Sequence, residues 1–346
     1  MRKAQQDSDN RSATLQQVAE RAGVSAATVS RVLNSPDAVR EGRRNRVLKA
    51  ISELSYVPHG PAQALVSRRT GTIGAIVPTL NNGLFADCIA ALQSRLNQEG
   101  YVLLLATSEY DLGREVDEVT ALLRRGIDAL MLVGGDHNPE VYSRVENRRI
   151  PLVLTWSLDS KDGYDCVGFD NMGAARRIAE YLLDLGHRKF GIIAGISLGN
   201  DRAAGRMAGF RQALVRRGIA MDSVPVIECP YAINEGRAAM RTLLRMKEVP
   251  TAVLCGNDIL AFGALAECNT AGISVPQQIS IAGYDDSDMA TCVTPPLTTV
   301  RVRPQTIGEQ AAAALLSRLR GSTARQNVDV LAEVILRQST APPPSA

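Results

Sequence analysis

Residues 14–34, TLQQVAERAGVSAATVSRVLN, constrain this chain more than any other segment, because their spacing specifies two short helices joined by a tight turn. Leu15, Val18 and Ala19 form the apolar side of the first helix. Gly23 permits the left-handed backbone that reverses the chain, and Ser25 is placed to N-cap a second helix over residues 26–34. Val24, Val29, Val32 and Leu33 supply the apolar face of that second half, which leaves Ala26, Ala27, Ser30, Arg31 and Asn34 on the exposed side. A helix so presented suits a DNA major groove. Arg31 can donate two hydrogen bonds to guanine N7 and O6, worth ~1–3 kcal/mol of discrimination, while the alanines offer shape and contact with thymine methyls. An ordinary helical hairpin with a glycine turn and a serine cap has the same pattern, so the neighbouring residues must decide.

Charge is divided along the chain. Residues 1–70 hold 12 Lys and Arg against 6 Asp and Glu, whereas the remainder holds 27 against 30. The basic excess therefore accompanies the helical hairpin and supplies a sequence-independent attraction to phosphate. For Arg43, Arg44, Arg46 and Lys49 the plainer expectation is a solvated helix face, with phosphate contacts where geometry permits.

Tyr56-Val-Pro58 and Ala62-Gln-Ala-Leu65 follow the hairpin. Together with residues 14–34, in order and spacing, they resemble the DNA-binding headpiece of the LacI/GalR family of transcription regulators. The resemblance implies a three-helix headpiece with its third helix over residues 43–54, where Val47, Leu48, Ile51 and Leu54 are apolar. It also implies a hinge that becomes helical on the operator, with Leu65 as an apolar wedge in the minor groove. The DNA-contact set it implies is Thr14, Leu15, Ser25, Ala26, Ala27, Thr28, Ser30, Arg31, Asn34 and Leu65. Pro61 suits the first turn of a hinge helix, although Gly60 and Pro61 replace side chains that more typical members carry.

From residue 72 onward, short apolar runs alternate with helical periodicity, the pattern of parallel β/α layers. Strands are expected over residues 72–77, 102–106, 129–133 and 152–154, with helices over 84–99, 114–125 and 139–147. A second series follows: helices over 173–185, 202–217, 235–246 and 259–271, and strands over 190–194, 226–229, 251–255 and 279–282. No GxGxxG opens a helix after the first strand and no GxxxxGK[ST] occurs, so dinucleotide and P-loop readings lack their phosphate cradles. A small ligand between two similar lobes, at their strand carboxyl ends, is the expected arrangement.

The resemblance extends over residues 14–337. Its signposts are Val167-Gly-Phe-Asp-Asn171, Leu185-Gly-His-Arg188, Arg206-Met-Ala-Gly-Phe210, Cys255-Gly-Asn-Asp258, Gly283-Tyr-Asp-Asp286 and Pro295-Pro-Leu-Thr-Thr299. The fold class implied is α/β: an N-terminal three-helix helix-turn-helix headpiece and hinge helix, then a two-lobed periplasmic-binding-protein-like core with parallel sheets. Crossovers are expected near residues 168–170, 298–301 and 327, with a further first-lobe helix over 305–319 and a second-lobe strand over 330–336. The domain boundaries follow: a disordered N-terminus at 1–12, headpiece 13–58, hinge 59–70, first lobe 71–169 plus 301–327, second lobe 170–300 plus 328–338, and a disordered tail at 339–346. The resemblance also places the effector-binding residues at Asn82, Phe85, Trp156, Phe169, Arg202, Arg206, Asn257 and Asp285. Arg206 can fork onto a carboxylate or two hydroxyls, Asn257 donates and accepts, and Asp285 accepts from vicinal hydroxyls, which suits a sugar. Arg202, one turn before Arg206, points to an anionic ligand such as a sugar acid.

Six dispersed cysteines without CxxC pairs and three histidines (His59, His137 and His187) lack metal-ligand spacing, so no metal and no cofactor is expected. The N-terminus lacks an apolar h-region and no run approaches 18 apolar residues, so the expected location is the cytoplasm, with no membrane partner. Three readings are weighed. A sugar-binding transport component would need an export signal and has no use for residues 14–65; a two-lobed α/β enzyme would need a recognisable nucleophile or acid–base constellation. A ligand-controlled repressor of a catabolic operon uses both halves of the chain. A homodimer on a near-palindromic operator is expected, because one headpiece buries too little surface for tight specific binding. The tail after Leu336 carries no leucine heptads that would add a tetramerising coiled coil.

Overall fold

A computed structural model describes residues 13–34, 36–57, 69–158 and 163–345. The hinge leucine Leu65 lies outside the described residues, as do residues 1–12. The chain forms two compact units, residues 1–71 and 72–346.

In the first unit, α1 (Leu15–Ala22), α2 (Ala26–Asn34) and α3 (Glu41–Glu53) enclose a small core. Thr14 caps α1 through a capping box: Gln17 N donates to Thr14 Oγ1 and Thr14 N donates to Gln17 Oε1. Gly23 adopts φ 64°, the left-handed geometry that ends α1 at little cost, and Ser25 Oγ accepts from Thr28 N at the start of α2. Val18, Val29, Val32 and Val47 are fully buried, with Tyr56 sealing the base. Three expectations change. Ser30, assigned to the exposed face, is half-buried. Ala26, assigned to the exposed face, is half-buried against this core, because the first turn of α2 leans onto α1. Leu48, assigned to the apolar face of α3, is 49% exposed, because Val47 and Ala50 already fill the contact side.

The second unit holds two parallel sheets. The first lobe is built on a six-stranded sheet in the order β11-β5-β4-β3-β1-β2, comprising β1 (Thr72–Val77), β2 (Val102–Thr107), β3 (Ala129–Val133), β4 (Leu152–Thr155), β5 (Asp165–Gly168) and β11 (Asn327–Asp329). Helices α4 (Gly83–Asn97), α5 (Leu112–Arg124), α6 (Pro139–Arg148) and α12 (Pro304–Leu319) cover it. The second lobe has the order β7-β6-β8-β9, from β6 (Phe190–Gly195), β7 (Val226–Cys229), β8 (Ala252–Cys255) and β9 (Ser280–Ala282). Its helices are α7 (Asn171–Asp184), α8 (Asp201–Arg216), α9 (Ile233–Leu244), α10 (Asp258–Thr270) and the short α11 (Met289–Cys292). Central strands β1, β3, β4, β6 and β8 are buried along nearly their whole length, which is why their sequences read as continuous apolar runs.

The lobes are joined three times. The chain leaves β5 for α7, returns from β10 (Thr299–Arg301) into α12, and leaves β11 for β12 (Glu333–Ile335), which pairs antiparallel with β10. The third crossover therefore follows Asp329 rather than lying around residue 327, because residues 327–329 add an edge strand beside β5, with Val328 opposite Val167. Strand β5 itself was absent from the expected elements.

Residues 339–341, assigned to a disordered tail, are packed against the second lobe. Ile281 N donates to Ser339 O at 2.8 Å, Ser339 Oγ donates to Ile281 O at 2.6 Å and accepts from Thr298 N at 2.8 Å. Ala341 O accepts from Ser280 Oγ and from buried His187 Nε2, while His187 Nδ1 meets Thr251 Oγ1. The segment thus closes the strand edge at β9. Ser339→Ala strands two buried backbone groups, Thr298 N–H and Ile281 C=O, and is expected to lower the unfolding free energy by roughly 2–4 kcal/mol in urea denaturation.

Candidate ligand cleft and nucleic-acid interface

Three helices begin at the same cavity, and each is capped by an asparagine. Asn82 Oδ1 accepts from Leu84 N at the start of α4, Asn200 Oδ1 from Ala203 N at α8, and Asn257 Oδ1 from Leu260 N at α10. One helix belongs to the first lobe and two to the second. Their unpaired N-terminal amides give the cavity a positive potential before any side-chain charge is added. Phe85, Tyr110 and Trp156 from the first lobe and Arg202, Arg206, Tyr231 and Asp285 from the second complete the wall. The cavity measures about 20 Å³ in this structure, room for a single water.

Arg206 is buried, and its charge is met on every side. Nη1 donates to Gly256 O at 2.6 Å, Nε donates to Asn171 Oδ1 at 3.3 Å, and Nη2 stands 3.6 Å from Asp285 Oδ1. The guanidinium lies 4.1 Å from the centre of the Tyr284 ring, a cation–π contact. Asp285 adopts φ 121° and Asp286 φ 57°, backbone regions rarely used by residues with a Cβ. Asp286 is anchored by Arg301 at 2.6 Å and Arg337 at 2.5 Å, so salt bridges on both sides hold the turn that aims Asp285 at Arg206.

The start of α8 also clasps the first lobe. Arg202 Nη1 donates to Val133 O at 3.1 Å, and Asp201 Oδ2 accepts from Gly135 N at 2.9 Å. Between these two residues lies Gly134, where a Cβ would stand 2.0 Å from Arg202 Nη1 and 2.6 Å from Asp201 Oδ1. Only glycine lets the lobes approach this closely. Burial works against the charge of Asp201, yet Arg202 and the Gly135 amide hold its carboxyl below the ordinary range.

The structure brings Asn82, Phe85, Trp156, Arg202, Arg206, Asn257 and Asp285 to one cavity. Phe169 stands behind it, its ring 6.4 Å from both Trp156 and Tyr284, and acts as packing for the wall. The sequence reading did not include Tyr110, Asn200 or Tyr231. Asn200 was detectable as a cap ahead of the Asp201 turn; the tyrosines meet only in space, with ring centroids 5.8 Å apart across the lobes. Burial pushes both hydroxyls up, so they remain protonated donors. The Trp156 indole N–H is buried and meets at most the weak acceptor Cys88 Sγ, which leaves a donor in the wall.

In the headpiece, Thr14 and Ser25 serve as caps with exposed side chains, Leu15 and Ala26 pack partly into the core, and Thr28 and Ser30 are half-buried. Ala27 and Arg31 are exposed on one side of α2. Arg31 is thus the long donor that this helix presents to solvent.

Behind Asp285, Asp258 accepts from Thr299 Oγ1 at 2.6 Å and from Ser287 N at 2.8 Å, linking α10 to the crossover strand β10. Burial, reinforced by the Asp285 charge, pushes Asp258 up to about 7; burial also raises Asp285, to about 6, against the pull of Arg206. Both groups bind protons more readily in the folded than in the unfolded chain, where a carboxyl titrates near 4. Their contribution to stability is therefore fullest below the unfolded value and declines as pH rises towards 7. Asp258→Asn is expected to flatten this part of the pH dependence, by up to ~1.4 kcal/mol per pH unit across pH 4–7. Urea unfolding of both proteins at a series of pH values checks it.

Residues 14–59 match the family model for bacterial regulatory proteins of the lacI family, and residues 179–340 match a periplasmic binding protein-like domain. The HTH-type transcriptional repressor PurR of Klebsiella pneumoniae is 34% identical over 336 residues, covering 96% of this chain and 98% of the relative. Among solved structures, the lac repressor dimer bound to operator and the anti-inducer ONPF aligns with a TM-score of 0.86 at 28% identity, covering 96% of this chain and all of the other. The complex of the regulator CelR with cellobiose aligns at 0.70 and 28%, covering 94% and 99%. No helix among the described residues is long and apolar enough to cross a membrane. Shared headpiece, shared two-lobed core and near-complete coverage make the chain a member of the lacI family, DNA-binding transcriptional regulators with a ligand cleft between two α/β lobes.

Proposed function

We propose that this protein is a dimeric repressor of a catabolic operon, released from a near-palindromic operator when a sugar acid enters the cleft. The observation that carries the effector class is the polarity of the cavity wall: three helix N-termini open onto it beside two buried guanidinium groups, Arg202 paired with Asp201 and Arg206 with Asp285. Such a wall favours an anion, and the asparagine amides and tyrosine hydroxyls supply the mixed donors and acceptors that a polyol chain needs. The likeness to a cellobiose complex supports a carbohydrate scaffold. The likeness to the operator-bound lac repressor dimer supports two headpieces on paired half-sites.

A second reading rests on the aromatic wall. Phe85, Tyr110, Trp156 and Tyr231 would also sandwich a flat heterocycle such as a purine base. Because Trp156 is the only tryptophan and lines the cavity, its fluorescence separates the two readings directly. Titration with sugar acids, neutral sugars and purine bases should give a saturable change with a sugar acid. Saturation with a purine alone overturns the sugar-acid assignment. Asp285→Asn should still bind operator yet lose the effector's influence on it, a coupling of typically ~1–3 kcal/mol. An unchanged effector response in a band-shift assay would remove Asp285 from the site.

Arg31→Ala is expected to cost ~1–3 kcal/mol of discrimination between operator and random duplex while leaving the salt dependence of non-specific binding in place. Competition binding against random DNA measures it; undiminished discrimination would show that Arg31 reads no base.

A further inference from the structure

The first-lobe sheet is parallel throughout, so every chain segment that enters a strand does so along one edge. The C-terminal ends of α4, α5, α6 and α12 all lie along that edge, and so does Thr72, where the chain from the headpiece joins the core. Arginines are concentrated there. Arg124 and Arg125 end α5, Arg148 and Arg149 end α6, and these two helices pack side by side on one face of the sheet, next to β3 and β4. Strand β3 is the immediate neighbour of β1, so the four arginines adjoin the point of entry of the headpiece linker.

Most carboxylates along the edge are already ion-paired. Glu99 is held by Arg95 and Arg320 and Asp165 by a two-pronged contact from Arg318, while exposed Glu146 accepts from the neutral Tyr164 Oη and keeps its charge. By contrast Arg124, Arg125, Arg148 and Arg149 are exposed and form no ion pair among the described residues.

Stability alone does not explain these four. A cation in the last turn of a helix is favourable, but a single arginine at each helix end meets that need. Arg149 moreover occupies the left-handed cap of α6, φ 54° and ψ 37°, a position where glycine costs less. The equivalent edge of the second lobe also carries exposed cations outside any ion pair among the described residues, Arg216, Arg245 and Lys247, beside Arg217 paired with Asp184 and Lys189 paired with Glu248, so what singles out the first-lobe edge is its position next to Thr72.

We propose that this edge of the first lobe is a second DNA-contacting surface, which takes the phosphates of the duplex around the operator and adds affinity without reading sequence. Fourteen residues separate Val57 from Thr72. Fully extended they reach about 50 Å, so the edge stays tethered near any duplex that the headpiece holds. Guanidinium groups suit phosphate because they present paired donors and keep their charge at any physiological pH.

The inference rests on the regulator reading, and one experiment separates the two. The full-length chain selects a duplex from random sequence, and binding is measured against salt on a short duplex and on one extended by flanking DNA. Arg124, Arg125, Arg148 and Arg149 are then replaced together by Gln. On the extended duplex the slope of log K against log salt should fall by roughly 0.9 for each phosphate no longer neutralised, with sequence selection intact. Replacing Arg216, Arg217, Arg245 and Lys247 by Gln removes the same charge from the second-lobe edge and should leave the slope at its wild-type value. Arg149→Gly should lower the slope while the unfolding midpoint holds or rises, an outcome that a purely structural role would not give. An unchanged slope in the quadruple variant, or an equal fall in the charge-matched control, overturns the proposal while the regulator reading stands. A wild-type chain that selects no duplex overturns both.

Discussion

The buried charge of Arg206 is the constraint on which the rest of the cleft depends. A guanidinium removed from water is costly unless each of its donors and its net charge find partners, and breaking one such partnership typically costs ~3–5 kcal/mol. Here the partners come from separate parts of the second lobe: Asn171 from α7, the Gly256 carbonyl after β8, and Tyr284 and Asp285 beyond β9. Satisfying one side chain therefore fixes the relative placement of a helix, a strand end and a turn. The left-handed backbone at Asp285 and Asp286 follows from the same requirement, because a relaxed turn would carry the carboxylate away from the guanidinium. Asp258, bonded to Ser287 and Thr299, carries that order into the crossover strand β10.

Much of the fold was legible because fully buried parallel strands leave an unambiguous mark. Ala129–Val133 and Ala252–Cys255 stand where their apolar runs place them, whereas edge strand Val226–Cys229 was found from the β/α alternation although only Cys229 in it is buried. Strand β5 left no such mark. It has four residues and opens with Asp165, a charge that belongs inside only because Arg318 reaches it from the distant helix α12. The packed tail was missed for a related reason. Ser339, Thr340 and Ala341 carry no hydrophobic signal, and what holds them is a set of hydrogen bonds to residues some 40 to 160 positions earlier. Local pattern reports burial driven by apolar area; it is silent on burial driven by polar partners far along the chain.

The same division runs through the candidate site. Motif position located Arg206, Asn257 and Asp285, and the structure adds why asparagine stands at residues 82, 200 and 257: the amide oxygen caps a helix while the residue faces the cavity. Asn257 can therefore cap α10 and face the cavity at once. Tyr110 and Tyr231 were not legible, since each lies in a connection between elements and acquires its place only when the lobes meet. Leu48 shows the opposite error: it was assigned a side by its position in a pattern, and Val47 beside it already occupies that side, whereas Phe169, placed by the resemblance, packs directly behind Trp156.

The anionic effector proposed above would meet a difficulty in this cleft, one that the raised pKa of Asp285 would ease. A ligand carboxylate drawn to Arg206 would sit beside the Asp285 carboxylate, and two like charges that close oppose each other. Burial has already brought Asp285 to about 6, so taking up a proton near neutral pH costs only about 1.4 kcal/mol per pH unit above that value. The entering anion would then replace Asp285 as the counter-charge of Arg206, and the protonated Asp285 would become a donor to the ligand. The exchange keeps the buried guanidinium paired throughout, which is the condition for opening the wall without an isolated charge. The turn that carries Asp285 adjoins β10, one of the three segments of chain that join the lobes, so the counter-charge of Arg206 stands beside a crossover.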